Sequence, residues 1–257
     1  MPSPVTLPRL SWGDAHSDRQ ALLVHGVGSS GALMWRYAVA LADAGWRVDA
    51  VDLRGHGTAP RTLDYTIEAY ATDLLRTAPV GAASWDLVLG HSLGGAAATL
   101  AAASAPAWTR HLVLVDPAIH LVDADREAVR ASQEQAFADT SEAAVRAAHP
   151  EWLDLDIELK AVAAAQASRF AVEQTGEQNT PWDVREAASR LSMPTHVIGG
   201  DPAVYSIFTG PLADEVLRNP VVTMSVVPGT GHSPHRDAPD ASAQALLDAV
   251  DTWGLRP

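Results

Sequence analysis

The chain has 257 residues, 47% hydrophobic and 19% charged, and its 18 Lys and Arg stand against 31 Asp and Glu for a formal charge of -13. That balance excludes wholesale disorder, and the acidity argues against nucleic acid or anionic membrane as partners, because polyanion binding needs clustered positive charge. Cysteine is absent, which removes disulfides, thiolate metal sites and a cysteine nucleophile together.

Residues 1–8 show neither a basic start nor an apolar stretch of signal-peptide length, and no run approaches a membrane span, so a cytoplasmic location is expected. Residues 5–12 are expected to form an edge hairpin with the next strand of the chain, weakened by Pro8. Ala21-Leu22-Leu23-Val24 reads as a buried strand that ends at His25-Gly26-Val27-Gly28. A helix is expected over 32–44, a strand over 46–53, and an amphipathic helix over 67–78. Residues 85–89 form a strand-type run, 96–105 an alanine-rich helix closed by Pro106, and 111–116 another apolar strand. Alternation at this spacing predicts a parallel sheet covered on both faces.

From 120 to 190 the pattern changes. Helix-period segments at 124–138, 141–148 and 153–172 dominate, with a polar loop at 175–180, so this block is expected to cap the strand ends. The alternation then resumes with strands at 195–199 and 221–227 and a last helix over 241–253.

Between the strand at 85–89 and the helix at 96–105 lies Gly90-His91-Ser92-Leu93-Gly94-Gly95. Gly-x-Ser-x-Gly in a strand-turn-helix setting is the pattern of a nucleophile elbow, in which the glycines make room for a sharp, strained turn at the serine. The motif resembles that of the α/β-hydrolase superfamily, and other segments carry the same resemblance. Pro228-Gly229-Thr230-Gly231-His232 is similar to the family's histidine loop, His25-Gly26 to its oxyanion loop, and Asp52-Leu53-Arg54-Gly55-His56-Gly57 to a landmark of structural role.

The resemblance implies a mostly parallel sheet flanked by helices, with a core at 1–119 and 191–257 and a helical cap at 120–190. It implies Ser92 as nucleophile, His232 as general base and then general acid, and the backbone N–H groups of Val27 and Leu93 as oxyanion donors. His25 then braces its loop, and His235 is a loop or pocket residue.

The triad acid departs from the commonest pattern, because Ala203 stands where an ungapped match after the next-to-last strand puts the acid. Asp116, one strand earlier, is preferred and Asp201 is the alternative. Trp35, Trp152 and Trp182, with Phe170 and Leu153, are expected to wall a mainly apolar pocket. The histidines show no metal-ligand spacing, and Gly26, Gly28 and Gly31, a dinucleotide fingerprint taken alone, are explained by the oxyanion loop, so no metal and no cofactor is expected.

The expected function is hydrolysis of a small, mainly apolar carboxylic ester or lactone through an acyl-enzyme on Ser92. The alternatives are carbon–carbon bond hydrolysis or cofactor-free oxygenation on the same triad, and a non-catalytic binding protein on this fold. The sequence leaves the oligomeric state open.

Overall fold

A computed structural model describes residues 2–255, so Met1, Arg256 and Pro257, the outermost residues of the expected core segments, lie outside the described residues. In chain order the elements are β1 (Arg9–Trp12), β2 (Gln20–Val24), α1 (Trp35–Asp43), β3 (Arg47–Val51), α2 (Ile67–Arg76), β4 (Leu87–His91), α3 (Leu93–Ser104) and β5 (Leu112–Val115). A helical insert follows: β6 (His120–Leu121), α4 (Asp123–Ala138), α5 (Glu142–Ala148), α6 (Asp154–Gln166), α7 (Arg169–Gln178), β7 (Trp182–Asp183) and α8 (Arg185–Ser189). The chain returns through β8 (Thr195–Gly199), α9 (Gly210–Val216), β9 (Val222–Val226), α10 (Pro234–Asp237) and α11 (Pro239–Thr252).

Seven strands form one sheet in the order β1-β3-β2-β4-β5-β8-β9. Every pairing is parallel except that of β1 with β3. Successive side chains on a strand point to opposite faces. Leu22, Val24, Val88, Leu112, Leu114 and Val197 therefore pack on one face, beneath α2 and α3. Ala21, Leu23, Leu89, Val113, Val115 and Ile198 pack on the other, against α1 and α11. Burial on both faces is why these strands read as continuous apolar runs rather than alternating ones.

The expected edge hairpin is corrected. β1 pairs antiparallel with β3, two strands on, and not with β2. Its polar side chains find partners there, since buried Asp49 accepts from Arg9 Nη1 at 2.8 Å and from Ser11 Oγ at 2.5 Å.

The helix expected over 153–172 is two helices. Ser168 breaks it, because its hydroxyl caps the new helix by accepting from Ala171 N–H while its own N–H donates to the Gly55 carbonyl. α7 then runs through the expected loop at 175–180 as far as Gln178, where the Asn179 side chain donates to the carbonyls of Tyr65 and Thr175. The pair β6–β7 and helix α9 were not visible in the hydrophobic pattern.

The Asp52–Gly57 loop is held from below. Arg54 makes a two-pronged ion pair with Asp73, at 2.6 and 2.7 Å, and both side chains are buried. Asp52 accepts from the N–H groups of Gly31 and Thr58. Among the described residues no helix is long and apolar enough to cross a membrane.

The Arg54–Asp73 pair generates a stability prediction. Asp73→Ala leaves a buried guanidinium without a counter-charge, which should cost about 3–5 kcal/mol in urea unfolding. A loss well under that range would mean that Arg54 finds another partner.

Candidate active site

The carboxyl ends of β2 and β4 lie side by side, and the chain leaves them in opposite directions across the sheet, β2 toward β3 and β4 toward β5. Such switch points open a crevice at the strand ends. Ser92 stands there, between the last residue of β4 and the first of α3, with φ of +53°. Asp116, directly after β5, has φ of +35°. They are the two non-glycine residues with positive φ among the described residues, a conformation that costs of order 1–3 kcal/mol and persists only where surroundings enforce it.

The surroundings do enforce it. Ser92 N–H donates to the Val115 carbonyl at 3.1 Å, Ala118 N–H donates back to the Ser92 carbonyl at 3.1 Å, and Asp116 N–H donates to Ile198 at 2.9 Å. Each strained residue is thus stitched to the neighbouring strand or loop. Gly90 and Gly94 permit the turn: a Cβ on Gly94 would lie 2.5 Å from the carbonyl oxygens of Val24 and His25, and one on Gly90 would lie 2.5 Å from the Gly94 carbonyl.

The structure brings Ser92, His232 and Asp116 together. His232 Nε2 lies 2.9 Å from Ser92 Oγ, and Nδ1 lies 2.6 Å from Asp116 Oδ2. An ionised carboxylate only accepts, so the imidazole proton sits on Nδ1 and Nε2 is free to accept from the serine hydroxyl. Asp116 is fully buried and also accepts from Ser206 Oγ at 2.6 Å and from Ile207 N–H at 3.2 Å. Asp201 is turned away. Its carboxylate accepts from the N–H groups of Gly229 and Ala203, bonds that hold its acid below the usual range, and the described structure gives it no contact with the His232 ring.

Beneath His232 lies His91, whose Nε2 donates to the His232 carbonyl at 2.8 Å while the two rings meet at a tilt of 39° with centroids 4.9 Å apart. Burial drives the His91 imidazole well below its ordinary value, with the neighbouring His235 and His232 adding to the shift, so it is neutral in use. His235 is buried against His91 and Tyr37 rather than facing a pocket.

Val27 and Leu93 border the same cavity as Ser92. Leu93 opens α3, so its N–H has no acceptor within the helix, and the helix dipole adds positive potential there. Val27 is set by His25. The Leu53 N–H donates to His25 Nε2 at 3.0 Å, which leaves the proton on Nδ1, and Nδ1 donates to the Gly26 carbonyl at 2.7 Å. That carbonyl belongs to the peptide that carries the Val27 N–H. Burial lowers His25 to about 4, so the brace stays neutral across the physiological range.

The cavity measures about 630 Å³. Val27, Leu93, Ala118, Leu121, Trp182 and Ile207 line its apolar depth, and charged side chains of α4 and α7 surround the opening. The Trp182 indole N–H is tied to the Ala118 carbonyl at 2.6 Å. Trp35 and Trp152 do not line it. Their indole N–H groups are drawn to carboxylates elsewhere, Asp156 for Trp35 at 2.7 Å and Asp237 for Trp152 at 2.8 Å. Phe170 is half exposed against Tyr65, and Leu153 is half exposed just ahead of α6. Among the described residues no group of three or more His, Asp or Glu is arranged to hold a metal ion.

The sheet order, the elbow and the histidine loop together match a known pattern, and the model of the alpha/beta hydrolase family covers residues 21–245, from β2 into α11. The chain belongs to that family. This hydrolase is 27% identical to 2-(acetamidomethylene)succinate hydrolase of Mesorhizobium japonicum over 90% of its own length and 87% of the relative's. It is 34% identical to lipase LipV of Mycobacterium tuberculosis over 53% of its length, spanning about half, 52%, of that lipase. The crystal structure of E-2-(acetamidomethylene)succinate hydrolase superposes with a TM-score of 0.79 at 23% identity, covering 96% of both chains, a likeness of fold.

The elbow glycines give a paired test. Gly94→Ala pushes a methyl group into two backbone carbonyls and should lose about 1–3 kcal/mol or more in urea unfolding. Gly176→Ala, on α7 with open space around it, should gain up to about 1 kcal/mol from helix propensity. Equal responses would mean that the elbow is not tightly packed.

Proposed function

We propose that this alpha/beta hydrolase is a serine hydrolase that cleaves an uncharged, mainly apolar carboxylic ester or lactone. The observation that carries the reading is the unbroken hydrogen-bonded chain from Ser92 Oγ through His232 to Asp116, beside the apolar depth of the cavity. Ser92 attacks the acyl carbonyl as its proton passes to His232 Nε2. The N–H groups of Val27 and Leu93 stabilise the tetrahedral oxyanion, and His232 returns the proton to the departing alkoxide. Water, deprotonated by the same imidazole, then attacks the acyl-enzyme and releases the acid and Ser92. Asp116 remains ionised throughout and stabilises the imidazolium. On this reading residues 120–190 act as a cap over the core at 1–119 and 191–257.

The charge around the opening supports an uncharged substrate. Three arginines border the cavity, and each is already engaged: Arg126 by Asp123 and Thr180, Arg130 by Glu127 and Glu134, and Arg169 by Glu173. With Glu177, five carboxylates face those three cations. A dicarboxylate, the kind of molecule for which the Mesorhizobium relative is named, would enter against that excess and find no guanidinium free.

The test is turnover of p-nitrophenyl butyrate beside a p-nitrophenyl ester that carries a free carboxylate. Wild type should favour the neutral ester. Ser92→Ala should abolish turnover, Asp116→Asn should cut kcat by about 10⁴, the scale known for loss of a triad acid, and Asp201→Asn should leave it close to wild type. Folded wild type that ignores neutral esters and lactones alike would overturn the reading.

A further inference from the structure

Lys160 is the single lysine of the chain; every other cationic side chain apart from histidine is an arginine. It projects from α6 of the insert, and its Nζ donates to the Gly28 carbonyl at 2.8 Å. Among the described residues no carboxylate pairs with it. Burial, with a smaller push from Arg236, brings the amine down to about 7, so the site keeps an expensive cation or a bare amine at this carbonyl. A compact ammonium suits a single carbonyl, whereas a guanidinium fork is shaped for two acceptors.

Gly28 follows Val27 directly. The carbonyls of the two residues that flank Val27 are therefore both held: that of Gly26 from the core by His25, and that of Gly28, one peptide beyond Val27's own, from the insert by Lys160. Gly28 also needs an outside anchor. Its φ is +63°, and a glycine in a loop loses more freedom on being fixed than any other residue. A second insert helix closes on the same spot, for a Cβ on Gly28 would fall 2.0 Å from Gln133 Oε1 of α4.

We propose that Lys160 is a positioning residue for the oxyanion hole: through Gly28 it aims the Val27 N–H, so the hole is complete only while α6 is seated on the core. The proposal rests on the hydrolase reading above for its catalytic consequence, but the tether itself is a separate physical claim. An acyl group that binds while holding α6 off the core would be bound and turned over slowly.

The experiment compares full-length wild type, Lys160→Met and Lys160→Arg by NMR backbone order parameters across residues 25–29, by kcat and KM on p-nitrophenyl butyrate, and by urea unfolding. Lys160→Met should lower the backbone order parameters of Val27 and Gly28 from the rigid range of ~0.85 to about 0.6 or below. It should lower kcat by about tenfold to a hundredfold, short of the ~10²–10³ that loss of a whole oxyanion donor costs, with KM little changed. Lys160→Arg, which keeps a donor, should recover part of kcat. Unfolding midpoints should hold or rise, since a half-buried amine without a counter-charge is removed, and this separates loss of aim from general loosening.

Unchanged order parameters overturn the tether, and lower ones with unchanged kcat overturn its role in the hole. If wild type turns over no ester, the function reading has failed. The rate of Ser92 phosphonylation by an alkyl fluorophosphonate, which loads the same hole, then replaces kcat. A wild type that is not phosphonylated either would sink this proposal too.

Discussion

The contact on which the rest depends is the 2.6 Å hydrogen bond between Asp116 and His232 Nδ1. It joins a fully buried carboxylate to a ring on a loop that comes after the last strand. Because the carboxylate only accepts, the bond selects the imidazole tautomer, and the tautomer decides that Nε2 faces Ser92 with a lone pair. Both neighbours of the ring are held in unfavourable backbone geometry. The parallel sheet is what makes that tolerable, since β5 is paired on both sides: Val115 at its end accepts from Ser92 N–H, and Asp116 just beyond it donates to Ile198.

The sheet and its flanking helices were legible in the sequence because strands buried on both faces give unbroken apolar runs and helices give 3.6-residue spacing. Ser92 and His232 were legible because the backbone demands of their loops are written in glycine. Asp116 was only partly legible. What holds it comes from Ser206 and Ile207, in a segment with no motif, and no local signal says which of two aspartates will face a histidine a long way down the chain.

Trp35 and Trp152 misled for a related reason. An aromatic side chain in the right stretch offers apolar area to a pocket, but an indole also carries one N–H, and a buried N–H follows its acceptor. Asp156 and Asp237 supply those acceptors, and neither pairing has a fixed spacing in the chain. Lys160 could have been noticed from composition alone, as the one lysine among many arginines. Its partner is a backbone carbonyl, which every residue has, so the contact itself leaves no trace in the sequence.

The insert begins and ends at nearly the same place. His120 pairs with Asp183 and Leu121 with Trp182, so this two-stranded clasp brings its ends together before the helices begin. For a loop already closed, added length costs little, with each doubling worth only about 0.6 kcal/mol in the flexible limit. The clasp therefore uncouples the length of the insert from the geometry of the sheet that carries Ser92 and Asp116. Length can be added to or taken from the helices between the clasped ends without moving those ends, as long as Ser168 still reaches Gly55 and Asn179 still reaches Tyr65.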